Sequence, residues 1–338
     1  MSHSVVLSSP LTETVQRPCD FTIAICTYNG AQRIPAVLDR LQQQLNTQIL
    51  RWEVFVVDNN SSDSTAAVVQ EYQQKWSSDI PLRYFFEGRQ GAAYARQLAM
   101  ETAKSELVGF LDDDNLPADN WVATAYQFGQ QHPHVGAYGS QIYGQFEGTL
   151  PDDFHRIQSF FALTQRGDEA HVYQPRQRVL PPSAGLVVRR QAWLSNVPNQ
   201  LILTGRHDEQ MLTGEDLEAI AHIRRGNWEI WHNPDMKVWH QIPARRLQRS
   251  YLLPFFRGIG LSRHVTRMLN MATWQRPFMF WVFIASDLLK AIHHVVTYRT
   301  LLQTKVVPAC ELEFYLCSLV SPLYIWRLLL LRFLKNKS

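Results

Sequence analysis

The stretch Val108-Gly109-Phe110-Leu111-Asp112-Asp113-Asp114-Asn115 sets the narrowest limits on what this chain can fold into. An apolar run of strand character stops at three adjacent carboxylates, which repel one another and suit no strand interior. Such a cluster belongs just past the carboxyl end of a buried parallel strand, where open α/β sheets bind their ligands. In extended chain, side chains at i and i+2 point the same way. Asp112 and Asp114 are therefore predicted to converge on one hard cation, Mn²⁺ or Mg²⁺, with phosphate oxygens completing its shell. An acidic turn that caps the next helix, with Asp119 before Trp121 as a further cap, is the alternative reading of the same residues.

The preceding residues favour the first reading. Residues 1–18 are polar and aperiodic and read as a disordered leader. Phe21 to Cys26 is an apolar run closed by Thr27-Tyr28-Asn29-Gly30. Ile34, Val37, Leu38, Leu41 and Leu45 then recur at helical spacing. Trp52 to Val57 predicts a second strand ending in Asp58-Asn59-Asn60-Ser61-Ser62-Asp63, a tip rich in N-cap residues for the helix through Val68, Val69 and Tyr72. Leu82 to Phe86 predicts a third strand, and Ala92 to Ala103 a third helix. Strand and helix in alternation mean a mostly parallel sheet with helices on both faces. Thr27–Asn29, Asp58 and Asp112–Asp114 then share one edge of it. No G-x-x-x-x-G-K-[ST] and no G-x-G-x-x-G follows the first strand, so phosphates are expected to be held through a metal.

These four motifs, in this order, resemble the family 2 glycosyltransferases of the GT-A fold. The carrying residues are Thr27-Tyr28-Asn29, Val56 to Asp63, Gly91 with Ala95-Arg96, and Leu111 to Asn115, and the resemblance covers roughly residues 20–260. It is nearest to the branch assigned to hormogonium polysaccharide biosynthesis. The resemblance implies that Thr27, Tyr28, Asn29, Asp58 and Arg96 serve the nucleotide of a UDP- or GDP-sugar donor. Asp112 or Asp113 would meet the ribose and phosphate side, and Asp114 would hold the metal. One departure stands out: Gln97 occupies the position where the family usually has Asn.

The second half supplies the acceptor side. Gly185, in Ala184 to Arg190, allows close approach of backbone to a sugar, or is an ordinary turn glycine. Glu215 and Asp216 open a helix, where acidic residues also suit the positive dipole end. They match the family's Glu-Asp pair, which implies Asp216 as general base and Glu215 as its catalytic neighbour. His240 follows Val238 and Trp239 where the family has Val-x-His; it is either a metal or phosphate contact or a packing residue. No Gln-x-x-Arg-Trp follows the base, which implies one sugar per encounter rather than processive synthesis.

Charge divides the chain. From Gln241 to Ser338 there are 14 Lys and Arg against 3 Asp and Glu, a surplus of +11, so residues 1–240 carry −8 of the overall +3. The basic tail contains the most apolar runs, Phe278 to Ser286 and Phe314 to Trp326. Asp287, Lys290, Arg327 and Arg332 bound or interrupt them, so both are predicted to fall short of the ~18–20 uncharged residues of a spanning helix. Helices lying in a membrane interface explain a basic, Trp-rich, interrupted tail; a buried helical subdomain is the alternative. Long aliphatic stretches such as Leu328 to Leu331 argue against a nucleic-acid partner. The four cysteines form no CxxC pair, and no signal peptide precedes the first strand, which points to the cytoplasmic face of the inner (plasma) membrane, peripheral or monotopic.

The expected organisation is a leader at residues 1–18, a GT-A catalytic domain at 19–250, and a helical, membrane-associating region at 251–338. The expected activity is inverting, metal-dependent transfer of a sugar to a glycan or lipid-linked acceptor in polysaccharide biosynthesis. A nucleotidyltransferase, or an inactive membrane-bound carbohydrate-binding scaffold, are the alternatives.

Overall fold

Four apolar runs form one half of the sheet: three are buried on both faces, and the third in chain order, half-exposed, is its edge. In the computed structural model, which describes residues 19–174, 180–206 and 211–335, these are β1 (Phe21–Thr27), β2 (Trp52–Asp58), β3 (Leu82–Phe86) and β4 (Leu107–Asp112). The leader expected at residues 1–18 lies outside the described residues. β1 pairs in parallel with both β2 and β4, and β2 with β3. Helices α1 (Ile34–Gln42), α2 (Thr65–Lys75) and α3 (Ala92–Thr102) make the crossovers. Ile23, Ile25, Val54, Val56 and Leu111 pack on Ile34, Val37, Leu38 and Leu41 of α1 on one face. Ala24, Phe55, Val57, Val108 and Phe110 pack on Ala95, Ala99 and Met100 of α3 on the other.

The sheet then continues as a mixed one. After β5 (Asn115–Pro117) and α4 (Trp121–Gln131) come β6 (Val135–Phe146), β7 (His171–Val172), β8 (Leu186–Arg189), α5 (Arg190–Asn196), α6 (Glu215–Arg225) and β9 (Glu229–Ile242). β8 lies antiparallel between β4 and β6, β6 pairs in parallel with β9, and β5 closes the edge antiparallel to β9. The order is β3-β2-β1-β4-β8-β6-β9-β5, with β7 on β9. β9 runs unbroken from Glu229 to Ile242, because a register shift opposite Ser140 and Gln141 absorbs the irregular residues in its middle. Gly185 does not face a cleft. Its φ is +67°, and a Cβ there would lie 2.5 Å from Ser140 Oγ and 2.7 Å from Val238 Cγ2, so sheet packing requires the glycine.

Three long helices complete the chain: α7 (Arg249–Leu269), α8 (Arg276–Tyr298) and α9 (Val306–Lys335). The apolar runs are longer as helices than as sequence. The stretches Thr273–Tyr298 and Val306–Leu334, 26 and 29 residues, are long and apolar enough to cross a membrane by length and composition. The expected shortfall fails because charged residues do not end the helices. Asp287 is buried within the bundle, paired with Arg267 at 2.5 Å and hydrogen-bonded by Ser318 Oγ at 2.5 Å. α9 touches the α/β region near both of its ends. Arg156 clasps Glu311 at 3.1 and 2.5 Å, and Arg332 Nη1 donates to the Leu201 carbonyl at 3.2 Å. The outward side of α8 and α9 carries Phe278, Trp281, Leu289, Val296, Leu323 and Trp326, each more than half exposed.

Candidate active site

The tips of β1, β2 and β4 meet at one edge, as the parallel register demands: Thr27 lies beside Asp58, and Cys26 beside Asp112. Thr27 Oγ1 donates to Asp113 Oδ2 at 2.6 Å, and Arg33 clasps the same carboxylate through Nε and Nη2 at 2.8 and 2.9 Å. Burial nevertheless pushes the Asp113 carboxyl above its ordinary value. Asp58 is buried, accepting from Ser61 N at 2.9 Å and from the Tyr84 hydroxyl at 2.7 Å. Asn29 has φ +49°, and its Oδ1 accepts from Ser62 N at 2.8 Å, so it latches the tip of β1 to that of β2. Tyr28 stands 42% exposed beside them, free to meet a ligand.

β4 ends at Asp112, and the two residues after it turn, so the extended-chain argument for Asp112 and Asp114 does not hold. The two carboxylates have separate partners. Asp112 faces Arg96 Nη2 at 3.3 Å, whereas Asp114 meets Arg246 Nη1 at 2.9 Å and His240 Nε2 at 3.6 Å. Burial works against the Asp114 carboxylate, yet the His240 imidazole and the Arg246 and Arg206 guanidiniums hold it well below the usual carboxylate range. Among the described residues no three His, Cys, Asp or Glu side chains gather as a ready ligand set. Asp114 and His240 are nonetheless a fitting pair for a divalent cation. His240 Nδ1 lies 2.9 Å from the Phe161 carbonyl, a contact that orients the ring with Nε2 toward Asp114. Arg246 Nη1 already bridges both donors, 3.3 Å from His240 Nε2, so a positive charge occupies the place a cation would take.

Arg96 joins the donor edge to the acceptor side. Its buried guanidinium donates to Glu215 Oε1 at 2.8 Å and to Ser183 Oγ at 2.8 Å, besides facing Asp112. Asp216 sits at the start of α6, its Oδ2 accepting from Ser183 N at 3.0 Å and its Oδ1 from Leu217 N at 2.8 Å. Each oxygen keeps a free lone pair. Burial pushes the Asp216 carboxyl up to about 6, and the neighbouring Glu215 carboxylate adds to the rise. Gly91 secures the arrangement from behind, with φ +132° and a Cβ position only 2.5 Å from the Thr204 carbonyl. Gln97 points away from this cleft, bonding Glu101 and Trp193 at 2.7 Å each, so the departure from the family pattern is a packing feature.

Three residues of the site went unread in the sequence: Arg33, Ser183 and Arg246. Arg33 opens α1 just after the first tip, and its place on the functional edge was a signal that could have found it. Ser183 and Arg246 meet their partners only through tertiary contacts, and nothing local marks them.

A mostly parallel sheet with nucleotide-type tips on β1, β2 and β4, and an acidic helix start facing them, defines a GT-A-like glycosyltransferase fold. Residues 22–190 match the model of glycosyl transferase family 2, half of the chain, and the chain belongs to that family. The putative teichuronic acid biosynthesis glycosyltransferase TuaG of Bacillus subtilis is 36% identical over 95 residues, 28% of this chain and 34% of the relative. The chain spans between about a fifth and about a third of the length of the curated relatives it matches. Among solved structures, the mannosyltransferase PcManGT of Pyrobaculum calidifontis, in complex with GDP-Man and Mn²⁺, has TM-score 0.57 at 18% identity, covering 91% of this chain and 88% of that one. TarS of S. aureus has TM-score 0.50 at 18% identity, covering 77% and 44%.

Proposed function

We propose that the chain is an inverting, metal-dependent glycosyltransferase that moves one sugar from a nucleotide-diphospho-sugar to a hydroxyl of a glycan or lipid-linked acceptor. The observation that carries this reading is Arg96, which ties Asp112 on the donor edge to Glu215 beside Asp216, so donor and acceptor chemistry share one guanidinium. Asp216 takes the proton of the acceptor hydroxyl as that oxygen bonds to the anomeric carbon from the face opposite the leaving group. The anomeric carbon–oxygen bond breaks with its electron pair going to the nucleoside diphosphate, and Asp216 later returns the proton to solvent. Glu215 is held by Arg96 and positions it. Thr27, Tyr28 and Asp58 line the nucleoside, and Asp113 with Arg33 shapes the phosphate side. Asp114 and His240 would hold a divalent cation, with Arg246 withdrawn; that ion supplies neutralising charge for the diphosphate. Mn²⁺ and GDP-Man in the mannosyltransferase above support this donor class.

The acceptor of this reading belongs to polysaccharide biosynthesis, and the branch that the motifs most resemble, the hormogonium one, supports that choice. The contacts of α9 support attachment in the plane of the cytoplasmic membrane face. A helix held to the α/β region near both ends, at Glu311 and Arg332, lies along that region rather than projecting through a bilayer. Its exposed Trp326 and Leu323 and the basic surplus then meet the interface.

Calorimetric titration of UDP and GDP with and without Mn²⁺ tests the reading. Wild type binds one of them in a metal-dependent way, and Asp114→Asn, which keeps a hydrogen-bond acceptor for Arg246, loses that dependence. Equal metal-dependent affinity in the mutant overturns the cation assignment. Release of pyrophosphate from a nucleoside triphosphate, in place of a nucleoside diphosphate from a nucleotide-sugar, overturns the transferase class.

A further inference from the structure

Helix α6 ends in Arg224 and Arg225, and both reach the segment linking α7 to α8. Arg224 donates through Nη2 to Asn270 Oδ1, and Arg225 through Nη2 to the Met271 carbonyl at 3.2 Å. Arg276 opens α8 close by, near enough that its charge, after burial, lowers the pKa of Arg225. No carboxylate among the described residues pairs with any of the three. Burial lowers the Arg224 pKa with nothing to restore it. Two donors are left over: Arg224 Nη1 and Arg276 Nε are buried without a hydrogen-bond partner. Buried cationic donors without acceptors are costly, and such orphans mark a place where an acceptor is missing. The acidic residues of α6 cannot serve, because Glu215, Asp216 and Glu218 lie in its first turn, at the far end.

The surroundings indicate what the acceptor is. The next residues along the chain are the most exposed aromatics of the tail, Trp274 at 80%, Phe278 at 72% and Trp281 at 70%. Tryptophan flanked by arginine is the composition of the headgroup level of a bilayer. Guanidinium forks match phosphate oxygens two at a time, and the first turn of α8 adds its positive dipole end.

We propose that Arg224, Arg225 and Arg276 form a binding site for the phosphate of an anionic phospholipid headgroup, separate from the nucleotide edge. The site rests on the membrane attachment argued above and makes it selective for lipid charge. It also fixes how the protein sits: α6 carries Asp216 at its first turn and the phosphate ligands at its last, so a bound headgroup orients the catalytic cleft relative to the membrane.

Flotation of the full chain with vesicles of phosphatidylcholine, with and without phosphatidylglycerol, tests it. Wild type should prefer the anionic vesicles by about tenfold or more. The triple variant Arg224→Gln/Arg225→Gln/Arg276→Gln should lose most of that preference while still floating with neutral vesicles. A control of equal charge change at exposed positions, Lys290→Gln/Arg299→Gln/Arg327→Gln, should keep most of it. Arg225 is exposed, so Arg225→Gln alone gives a smaller loss in a chain whose fold is undisturbed, should the triple variant fail to fold. Equal losses in triple variant and control overturn the site, since net charge alone then explains binding. Wild type floating equally with both vesicles overturns the site and leaves membrane attachment standing. Wild type floating with neither overturns both.

Discussion

At the sheet edge each of the three adjacent carboxylates has its own guanidinium: Asp112 has Arg96, Asp113 has Arg33 and Asp114 has Arg246. Along α8 and α9 the reverse holds, and Lys290, Arg299 and Arg327 stand exposed among Trp and Leu side chains. The difference teaches where charge is held internally and where it is left for a partner. A buried carboxylate without a counter-charge tends to neutralise itself: arginines oppose the rise that burial gives Asp112 and Asp113, and at Asp114 the cationic neighbours outweigh it. The tail has few acids of its own; Arg257, Arg267 and Lys305 have carboxylate partners, and Lys290, Arg299 and Arg327 are left to meet an outside anion.

The largest effect separating the two regions should come from the acceptor side of the cleft. Asp216→Asn keeps shape but cannot take a proton, and transfer should fall by ~10²–10⁴ while nucleotide affinity persists. The tail stays folded and membrane attachment is unchanged. Glu215→Gln should cost less, because it leaves a hydrogen-bond acceptor for Arg96. Turnover in which Glu215→Gln is the more crippled of the two reverses their roles. In wild type, the acid limb of the rate profile should bend near pH 6, where burial has pushed the Asp216 carboxyl: the base is lost as pH falls through that value. A rate flat from pH 5 to 8 removes Asp216 as the base.

The places of Thr27, Asp58, Asp112 to Asp114 and Asp216 were legible because the family pattern survives there, and β1, β2 and β4 were legible because strands buried on both faces read as unbroken apolar runs. β6 was not, although it is a long, central strand. Gly136, Gly139 and Gly144 and the polar Ser140 and Gln141 erase its apolar pattern, and each is explained only by what crosses it. At Gly139, for instance, a Cβ would lie 2.4 Å from Pro181. Arg246 and Ser183 stayed hidden for the same reason, since an arginine in a basic tail and a serine in a Pro-rich loop have ordinary local explanations.

A second, smaller effect should be confined to the tail. Asp287 is 1% exposed and binds Arg267, which links α8 to α7. Asp287→Ala leaves a mostly buried guanidinium unpaired, a change that typically costs about 3–5 kcal/mol. Denaturant titration should show that loss, and limited proteolysis should cut α8 first, while nucleotide affinity at the sheet edge is retained. A mutant that loses nucleotide binding in proportion to the loss of tail stability shows that the two regions fold as one unit, and the comparison above then fails.

The smallest effect lies at the seam. Glu218, in the same helix as Asp216, is buried and accepts from Ile202 N at 2.9 Å and Leu203 N at 2.7 Å. Arg332 of α9 reaches the adjoining Leu201 carbonyl, so this loop joins catalytic region and tail. Burial pushes the Glu218 carboxyl up from 4.5 to about 7. A folded-state pKa above the unfolded one means that the folded chain binds the extra proton. The stabilisation is complete below about pH 4.5 and is lost as pH rises through about 7. Wild type should therefore lose melting temperature between pH 5 and 8 relative to Glu218→Gln, which carries no proton to lose. Parallel curves for the two proteins would mean that Glu218 keeps its charge, with the positive charge of Arg332 offsetting burial. In that case the tail, rather than the loop, holds the carboxylate, and the seam belongs to α9.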